Sequence, residues 1–415
     1  MRAPCVSSCH PASTSMGHAF PPRMISCRNA AMKVITNTGA LAAFCEALSS
    51  AEYITVDTEF MRESTFWPIL CLVQVAGPDD EAIIDPLADG IDLQPLYDLI
   101  ANESVLKVMH AASQDIEIFH HEGGVTPQPL FDTQIAAMVA GFGDQVGYEG
   151  LISKLAKVSL DKASRFTDWS QRPLTESQLD YAIADVTHLR VAYEKLRARI
   201  EENGRIAWVE QEMVKLAAPE KYEVRPEEAW RRLKPKRAQA RYLAVLQAVA
   251  AWRDREAMTR DQPRNRILRD DVLSQIAARP PDNPKALSRV RGIPKGFVDG
   301  KMGRGLMDAV ETGRNLPENE APELPPVVDL PSGAGPLMDL LKVLLKFKCD
   351  THDVAQKLVA TVAELEAIAA DDNADVAALQ GWRREIFGDD ALRLKHGEIA
   401  LGAGRGKVQM VEIGN

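Results

Sequence analysis

The sequence has few cysteines and no long hydrophobic run. Its 415 residues include six cysteines, and none of them form a pair with zinc-finger spacing. A disulfide scaffold and a zinc finger are therefore not expected. The longest apolar stretches, 69–76 and 337–345, contain polar residues and are much shorter than the ~20 residues of a membrane span. We therefore predict a protein of the reducing cytoplasm that has no membrane segment.

Glycine-rich motifs for nucleotide cofactors are also missing. No G-x-G-x-x-G motif follows a predicted strand, and the phosphate-binding motif G-x-x-x-x-G-K-[ST] does not occur in the sequence. We therefore expect neither a Rossmann domain nor a nucleotide cofactor.

Positive charge is concentrated in one segment of an acidic chain. The net charge is −10, yet residues 221–315 contain 22 Lys or Arg against 12 Asp or Glu. Such a segment suits a polyanionic partner, although an ordinary solvated helical surface carries the same residue types. Composition alone leaves both interpretations open.

Hydrophobic periodicity divides the chain into several regions. Short apolar runs that alternate with helical patterns predict an α/β domain over 32–215. Helical patterns predict two further units, at 225–315 and 337–404, and the proline-rich stretch 316–336 predicts a stiff linker between them. Residues 1–31 are interpreted as a disordered leader or a misassigned start. The strands expected in the α/β domain are 53–56, 70–76, 82–84 and 105–109.

Two carboxylates follow the first predicted strand of the α/β domain. Asp57 and Glu59 are two residues apart, so extended backbone directs both side chains to the same face. Neighbouring carboxylates resist joint ionisation unless a divalent cation lies between them, and their oxygen atoms suit Mg²⁺ or Mn²⁺. Alone the pair is weak evidence, because a partly exposed strand end often carries acids for solubility.

Further acids occur in helical patterns. Tyr181 and Asp185 are four residues apart on a helix with apolar flanks, so they project from one face. A buried carboxylate there requires a partner. Asp115 opens an earlier helix, where the helix dipole alone could favour it. Together these residues fit two-metal phosphodiester hydrolysis, with the tyrosine orienting the attacking water because its ordinary pKa of ~10 makes it a poor base.

The motifs around these residues resemble those of the ribonuclease D family, in the tyrosine-containing branch of the DEDD exonucleases. The resemblance covers about 32–215 and rests on 57–63 (DTEFMRE), 110–115 (HAASQD), 131–134 (FDTQ), 160–162 (LDK), 168–169 (DW), 172–174 (RPL) and 181–185 (YAIAD). It implies a ribonuclease H-like α/β domain that releases nucleoside 5′-monophosphates from the 3′ end of RNA. It further implies a water-orienting role for Tyr181 and a set of metal ligands, namely Asp57, Glu59, Asp115 and Asp185.

The basic segment is similar to the HRDC domain, the helical domain that RecQ-type helicases share with ribonuclease D. Matching positions include 252–253 (WR), 267–268 (IL), 276–277 (IA) and 292–293 (GI). This similarity favours binding of the RNA backbone by the arginine-rich segment. The unit at 337–404 would be a diverged copy, and its acidic balance favours a supporting role. The architecture expected is an α/β exonuclease domain followed by two small all-α domains.

We therefore predict a metal-dependent 3′→5′ exoribonuclease that acts as a monomer on RNA, including transfer RNA precursors, with two Mg²⁺ or Mn²⁺ ions. The alternatives are a 3′ exonuclease for DNA on the same scaffold and a non-catalytic RNA-binding protein. RNA and DNA oligonucleotides of the same sequence would distinguish the predicted exoribonuclease from the first alternative, because the 2′ hydroxyl is the group by which a protein distinguishes RNA from DNA.

Other side chains are weaker candidates for contacts with RNA. Core packing or surface ion pairs would account for the same residues. Asp132 is expected to support the ligands from behind or to cap a helix rather than to bind a metal. His110 and His188 could approach the site, but a hydrogen-bonded packing role is the one expected of them. The candidates are Phe60, Phe66 and Trp67 for stacking on bases, and Lys162, Arg165 and Arg172 for binding phosphates.

Overall fold

A computed structural model describes residues 33–159, 167–324 and 329–414 of the chain. The predicted leader 1–31 and the phosphate candidates Lys162 and Arg165 lie outside the described residues. Within the described ranges, no helix combines the length and the apolar composition that crossing a membrane requires.

A six-stranded mixed sheet forms the centre of the α/β domain. The strands are β1 (Val34–Ile35), β2 (Tyr53–Met61), β3 (Ile69–Ala76), β4 (Glu81–Ile84), β5 (Leu106–Met109) and β6 (Leu130–Asp132). Their order in the sheet is β1-β4-β3-β2-β5-β6. Strand β3 runs antiparallel to β2 and β4, whereas the other neighbours are parallel. The hydrophobic pattern does not predict β1 and β6, because two or three residues are too few to show a period.

Helices cover the sheet, and the longest of them crosses β2. In the described part of this domain they are α1 (Thr38–Leu48), α2 (Gln94–Ala101), α3 (Ser113–Gly123), α4 (Thr133–Val139), α5 (Tyr148–Leu155), α6 (Glu176–Glu202) and α7 (Ile206–Ala217). Helix α6 begins with a capping box between Thr175 and Gln178. The Thr55 hydroxyl donates to the Val186 carbonyl at 2.9 Å. This contact turns the odd-numbered face of β2, which carries Asp57, towards α6.

The first helical unit (226–315) has its own core. It begins with a 3₁₀ helix, Pro226–Leu233, whose Trp230 is buried. Its α-helices are α8 (Ala240–Arg260), α9 (Arg264–Ile267), α10 (Asp270–Ala278), α11 (Pro284–Leu287) and α12 (Lys301–Asn315). Leu246, Leu273 and Leu306 are buried in this core, and one residue of the α/β domain, Phe66, is buried with them.

The second helical unit (334–412) shares its core with the α/β domain. Its elements are α13 (Ala334–His352), α14 (Gln356–Val359), α15 (Val362–Ala370), α16 (Gly381–Arg383), a π-helical turn, α17 (Asp389–Lys395) and the antiparallel strands β7 (Ile399–Gly404) and β8 (Lys407–Glu412). Leu341 and Leu365 belong to the same buried cluster as Ile54 of β2. The structure differs from the predicted boundaries, because α13 starts inside the predicted linker and β8 extends beyond 404. Pro336 does not prevent this, since proline is tolerated in a first helical turn.

The first three α-helices of the two helical units have the same succession of lengths. Helices α8, α9 and α10 have 21, 4 and 9 residues, and α13, α14 and α15 have 19, 4 and 9. The sequence L-x-x-I-A-A occupies the same place in α10, at 273–278, and in α15, at 365–370. Both first helices are followed by an aspartate with a left-handed backbone, Asp261 and Asp353. These correspondences favour the prediction that the second unit is a diverged copy of the first.

Candidate active site

Three of the predicted carboxylates converge where β2 meets α6. Oxygen atoms of Asp57, Glu59 and Asp185 all lie within 4.8 Å of one another. Asp57 and Glu59 share one face of β2, and Asp185 precedes the α6 residue, Val186, whose carbonyl binds Thr55. The period of the strand and the anchored helix therefore bring together side chains from distant parts of the sequence.

Burial and mutual repulsion oppose ionisation at this cluster. Burial is the main cause that raises the pKa of Asp57 well above its usual value, and the neighbouring Asp185, Asp115 and Glu59 raise it further. A divalent cation would offset both effects, and an all-oxygen donor set is the kind that Mg²⁺ and Mn²⁺ prefer. The residues present therefore fit such a cation.

Asp115 lies beside the three converging carboxylates rather than among them. It is buried in the first turn of α3 and accepts a hydrogen bond from the Thr58 hydroxyl on β2. Burial raises the pKa of Asp115 from 3.8 to about 7, although the bond from Thr58 acts in the opposite direction. Its charge also raises the pKa of Asp57, so the fourth predicted ligand is close enough to interact with the cluster.

Tyr181 lies one helical turn before Asp185 and hydrogen-bonds to it. Burial and the nearby Asp185, Glu59 and Asp57 raise the pKa of the Tyr181 hydroxyl. The hydroxyl is therefore protonated at neutral pH, which suits a group that orients water and does not suit a general base.

Two residues of the site are absent from the predicted set. The Tyr148 hydroxyl, at the start of α5, donates to the main-chain carbonyl of Asp185. Gln74 pairs directly opposite Asp57 in the sheet, is fully buried, and its side-chain amide has no partner among the described residues. A glutamine within an apolar strand is a signal that sequence analysis can find, whereas nothing in the sequence near Tyr148 indicates a contact 37 residues away.

Asp132 and His110 hold local structure next to the site. The Asp132 carboxylate accepts bonds from the backbone of Gln134 at 2.7 Å and of Ala112 at 2.8 Å, and so caps α4. His110 contacts the Thr133 hydroxyl through Nδ1 at 2.9 Å, and burial lowers the pKa of its imidazole. Burial also lowers the pKa of His188. The capping role expected of Asp132 is the one observed.

Arg172 has a structural role instead of the suggested contact with phosphate. Its guanidinium donates to both oxygens of Asp85, at 2.7 and 2.6 Å, and to the Cys71 carbonyl at 2.7 Å. These bonds join the segment before α6 to the sheet. They leave little of the guanidinium for a phosphate group.

The three aromatic candidates for base stacking, Phe60 in β2 and the two residues Phe66 and Trp67 after it, all have packing contacts within the protein. Phe66 is buried in the core of the first helical unit, so its ring is unavailable to RNA. Trp67 stacks on His121 with 3.7 Å between ring centroids. Phe60 packs against the core of the α/β domain, which is the interpretation favoured for that residue.

The sheet, the acid cluster and the adjoining tyrosine define a 3′–5′ exonuclease with a ribonuclease H-like α/β domain. Residues 32–201 match a family model described as a 3′-5′ exonuclease, and residues 242–310 match the HRDC domain. Ribonuclease D of Nitrobacter hamburgensis is 49% identical over 92% of this chain and 100% of its own length. Ribonuclease D of Acidiphilium cryptum is 50% identical over 92% of this chain and 97% of its own.

A solved structure extends this similarity to three dimensions. Escherichia coli RNase D, described as an exoribonuclease involved in structured RNA processing, is 33% identical with a TM-score of 0.76. The match covers 89% of this chain and 99% of that one. The chain therefore belongs to the ribonuclease D family and is a 3′–5′ exoribonuclease. The predicted fold class, an α/β exonuclease domain followed by a helical region with an HRDC domain, is confirmed. The second helical unit is not all-α as predicted, because it ends in the hairpin of β7 and β8.

Proposed function

We propose that this exoribonuclease hydrolyses RNA by a two-metal mechanism in which Asp57, Glu59, Asp115 and Asp185 hold two Mg²⁺ or Mn²⁺ ions. The convergence of three carboxylates within 4.8 Å carries the proposal. Two such cations, ~3.5–4 Å apart, stabilise the attacking and the leaving oxygen of an in-line displacement.

Each side chain has a distinct part in this proposal. Asp57 interacts electrostatically with the other three carboxylates and would hold the cations together with them. Thr58 donates to Asp115 and fixes the direction of its carboxylate. The protonated hydroxyl of Tyr181 orients the attacking water, because its raised pKa keeps the proton on the oxygen.

We also propose transfer RNA precursors as substrates, since they are structured RNAs with 3′ extensions. The relative from Escherichia coli is described as acting in structured RNA processing. The first helical unit exposes basic side chains near its α11–α12 loop that suit an RNA backbone, namely Lys285, Arg289, Arg291 and Lys295. Further parts of the proposal are a monomer and a cytoplasmic location. Buried free thiols at Cys45, Cys71 and Cys349 fit a reducing compartment.

A degradation ladder of a 3′-tailed RNA, with and without chelator, tests the mechanism. Asp57→Ala and Asp185→Asn should abolish stepwise release of mononucleotides. Tyr181→Phe should retain metal binding but lose at least ~10-fold in kcat, the scale of general acid–base or orienting contributions. A DNA oligonucleotide of the same sequence is the substrate control. Full degradation in the presence of chelator would contradict the metal mechanism.

The pH dependence of stability gives a second test. The folded pKa of Asp115 is about 7, above the ordinary value of 3.8, so folding disfavours its ionised form. Without metal, stability should fall as pH rises between these two values and then level off. Mg²⁺ should reverse the fall, because it favours the ionised carboxylates. Asp115→Asn should make the fall smaller, and the raised pKa of Asp57 should preserve the remainder. Thermal unfolding from pH 4.5 to 8.5, with and without Mg²⁺, measures both effects.

A further inference from the structure

We propose that Tyr148 is a positioning residue for Asp185, and that the second helical unit holds the segment from which Tyr148 projects. This inference rests on the proposed metal site. It gives the second helical unit a role in catalysis without any contact with the reacting atoms.

The hydroxyl of Tyr148 is bonded to the helical turn that carries Asp185. It donates to the Asp185 carbonyl and lies 3.4 Å from the Ala184 carbonyl. A bond to the main chain of a ligand residue limits the rotation and translation of that turn, so the direction of the Asp185 carboxylate is fixed. Residues that orient metal ligands in this way affect metal affinity without touching the ion.

The ring of Tyr148 is itself held in place. His110 meets it edge to face, with 5.5 Å between centroids and 67° between planes. His110 is in turn bonded to Thr133 at the start of α4. The hydroxyl therefore approaches α6 from a fixed direction, and a rotation of the tyrosine would have to displace the histidine.

The segment before Tyr148 is anchored by the second helical unit. The Ala355 amide donates to the Met138 carbonyl at 3.0 Å, and the Lys357 amide donates to the Asp144 carboxylate at 3.2 Å. Ala355 lies between α13 and α14, and Lys357 lies in the first turn of α14. A continuous chain of contacts therefore leads from the second helical unit, through residues 138–147, to Tyr148 and Asp185.

Tyr148→Phe removes the hydroxyl and keeps the ring. Tyr53→Phe is the matched control, because the Tyr53 hydroxyl also bonds to α6, at the Glu194 carboxylate 2.6 Å away, but at a position remote from Asp185. Mn²⁺ binding to the full chain is measured by titration calorimetry, beside kcat, KM and the midpoint of thermal unfolding. We expect Tyr148→Phe to weaken Mn²⁺ binding and to lower kcat by about 10-fold or more, the usual effect of removing an orienting partner.

The control separates positioning from stability. Both variants lose one hydrogen bond to the same helix, so similar shifts of the unfolding midpoint are expected, whereas only Tyr148→Phe should change Mn²⁺ affinity and kcat. A Tyr148→Phe protein with the Mn²⁺ affinity and kcat of the wild type would overturn the role of Tyr148 alone. Absence of Mn²⁺ binding in the wild type would overturn the proposed metal site together with this inference.

Discussion

The two helical units share a succession of α-helices but pack differently. Each has a long helix, a left-handed aspartate, a four-residue helix and a nine-residue helix. The first unit nevertheless encloses its own core, whereas the buried side chains of the second are continuous with the core of the exonuclease domain. Units with similar local sequence therefore pack in two ways: the first forms a separate module, and the second extends the exonuclease domain. The surface against which each unit packs decides between these two outcomes.

The units also contact the exonuclease domain through corresponding residues. Asp261 accepts bonds from the backbone amides of Phe66 and Trp67, at 3.0 and 2.9 Å, in the segment that follows β2. Asp353 accepts a bond from Arg199 at 2.8 Å and lies against Gly141, in the segment that leads to Tyr148. One unit therefore holds the chain after Asp57 and Glu59, and the other holds the chain before α5.

The largest expected difference concerns Leu273 and Leu365, which occupy equivalent positions in α10 and α15. Both are buried, and either change to Ala should cost about 2–5 kcal/mol in the free energy of unfolding. Leu365→Ala should destabilise the exonuclease domain, because the core is shared. Leu273→Ala should destabilise mainly the first helical unit. Urea unfolding, followed by limited proteolysis and by activity on a short oligonucleotide, would distinguish them. Equal loss of activity in both would contradict the comparison.

A buried ion pair provides the next largest effect. Arg383 and Glu212 join the second helical unit to α7 at 2.8 Å, and their side chains are 8% and 12% exposed. Arg383→Met leaves Glu212 with its exposed partner Lys215 and should cost roughly 3 kcal/mol.

The control for Arg383 lies within the first helical unit. Arg314→Met breaks the exposed pair with Asp282 and should cost at most about 1 kcal/mol in urea unfolding. If Arg383→Met and Arg314→Met lowered the free energy of unfolding equally, the ion pair between Arg383 and Glu212 would contribute less to the contact between the second unit and the exonuclease domain than its burial indicates.

Much of the fold and part of the site could be predicted because the signals are local. The apolar runs predict the longer strands, and the spacing of Asp57 and Glu59 predicts that they share a face. Tyr148 could not be predicted, because its contact with Asp185 depends on how α5 packs on α6. The burial of Phe66 in another unit likewise depends on tertiary packing. A phenylalanine after a strand has the same sequence pattern whether it contacts RNA or is buried in the core of a second unit.

Asp261→Ala should have a smaller effect. It removes the acceptor of two backbone amides and places alanine at a φ of 46°, which together should cost about 1–3 kcal/mol. Asp261→Asn keeps an acceptor and tolerates the left-handed backbone, so it should retain most of the stability. Urea unfolding of both variants provides the measurement, and equal losses would show that the contact with Phe66 and Trp67 is not the cause.

Asp353→Asn should have the smallest effect. The pair with Arg199 is exposed on both sides, so the loss should be at most about 1 kcal/mol and should disappear at high salt. Thermal unfolding at low and high salt would test this. A larger loss of stability than for Asp261→Ala would contradict this prediction, because it would show that the Asp353 contact contributes more than the Asp261 contact.

The placement of Phe66 constrains any attempt to exchange domains among such nucleases. Its backbone belongs to the exonuclease domain, yet its ring is buried in the core of the first helical unit, where Arg264 lies 4.3 Å from the ring centroid. A transplanted helical module whose core has no space for this ring would leave the ring exposed to water, at a cost of about 1.5–3 kcal/mol in the free energy of unfolding. Helical modules for chimeric enzymes should therefore be chosen by the space that their core offers to this ring rather than by the length of the connecting peptide.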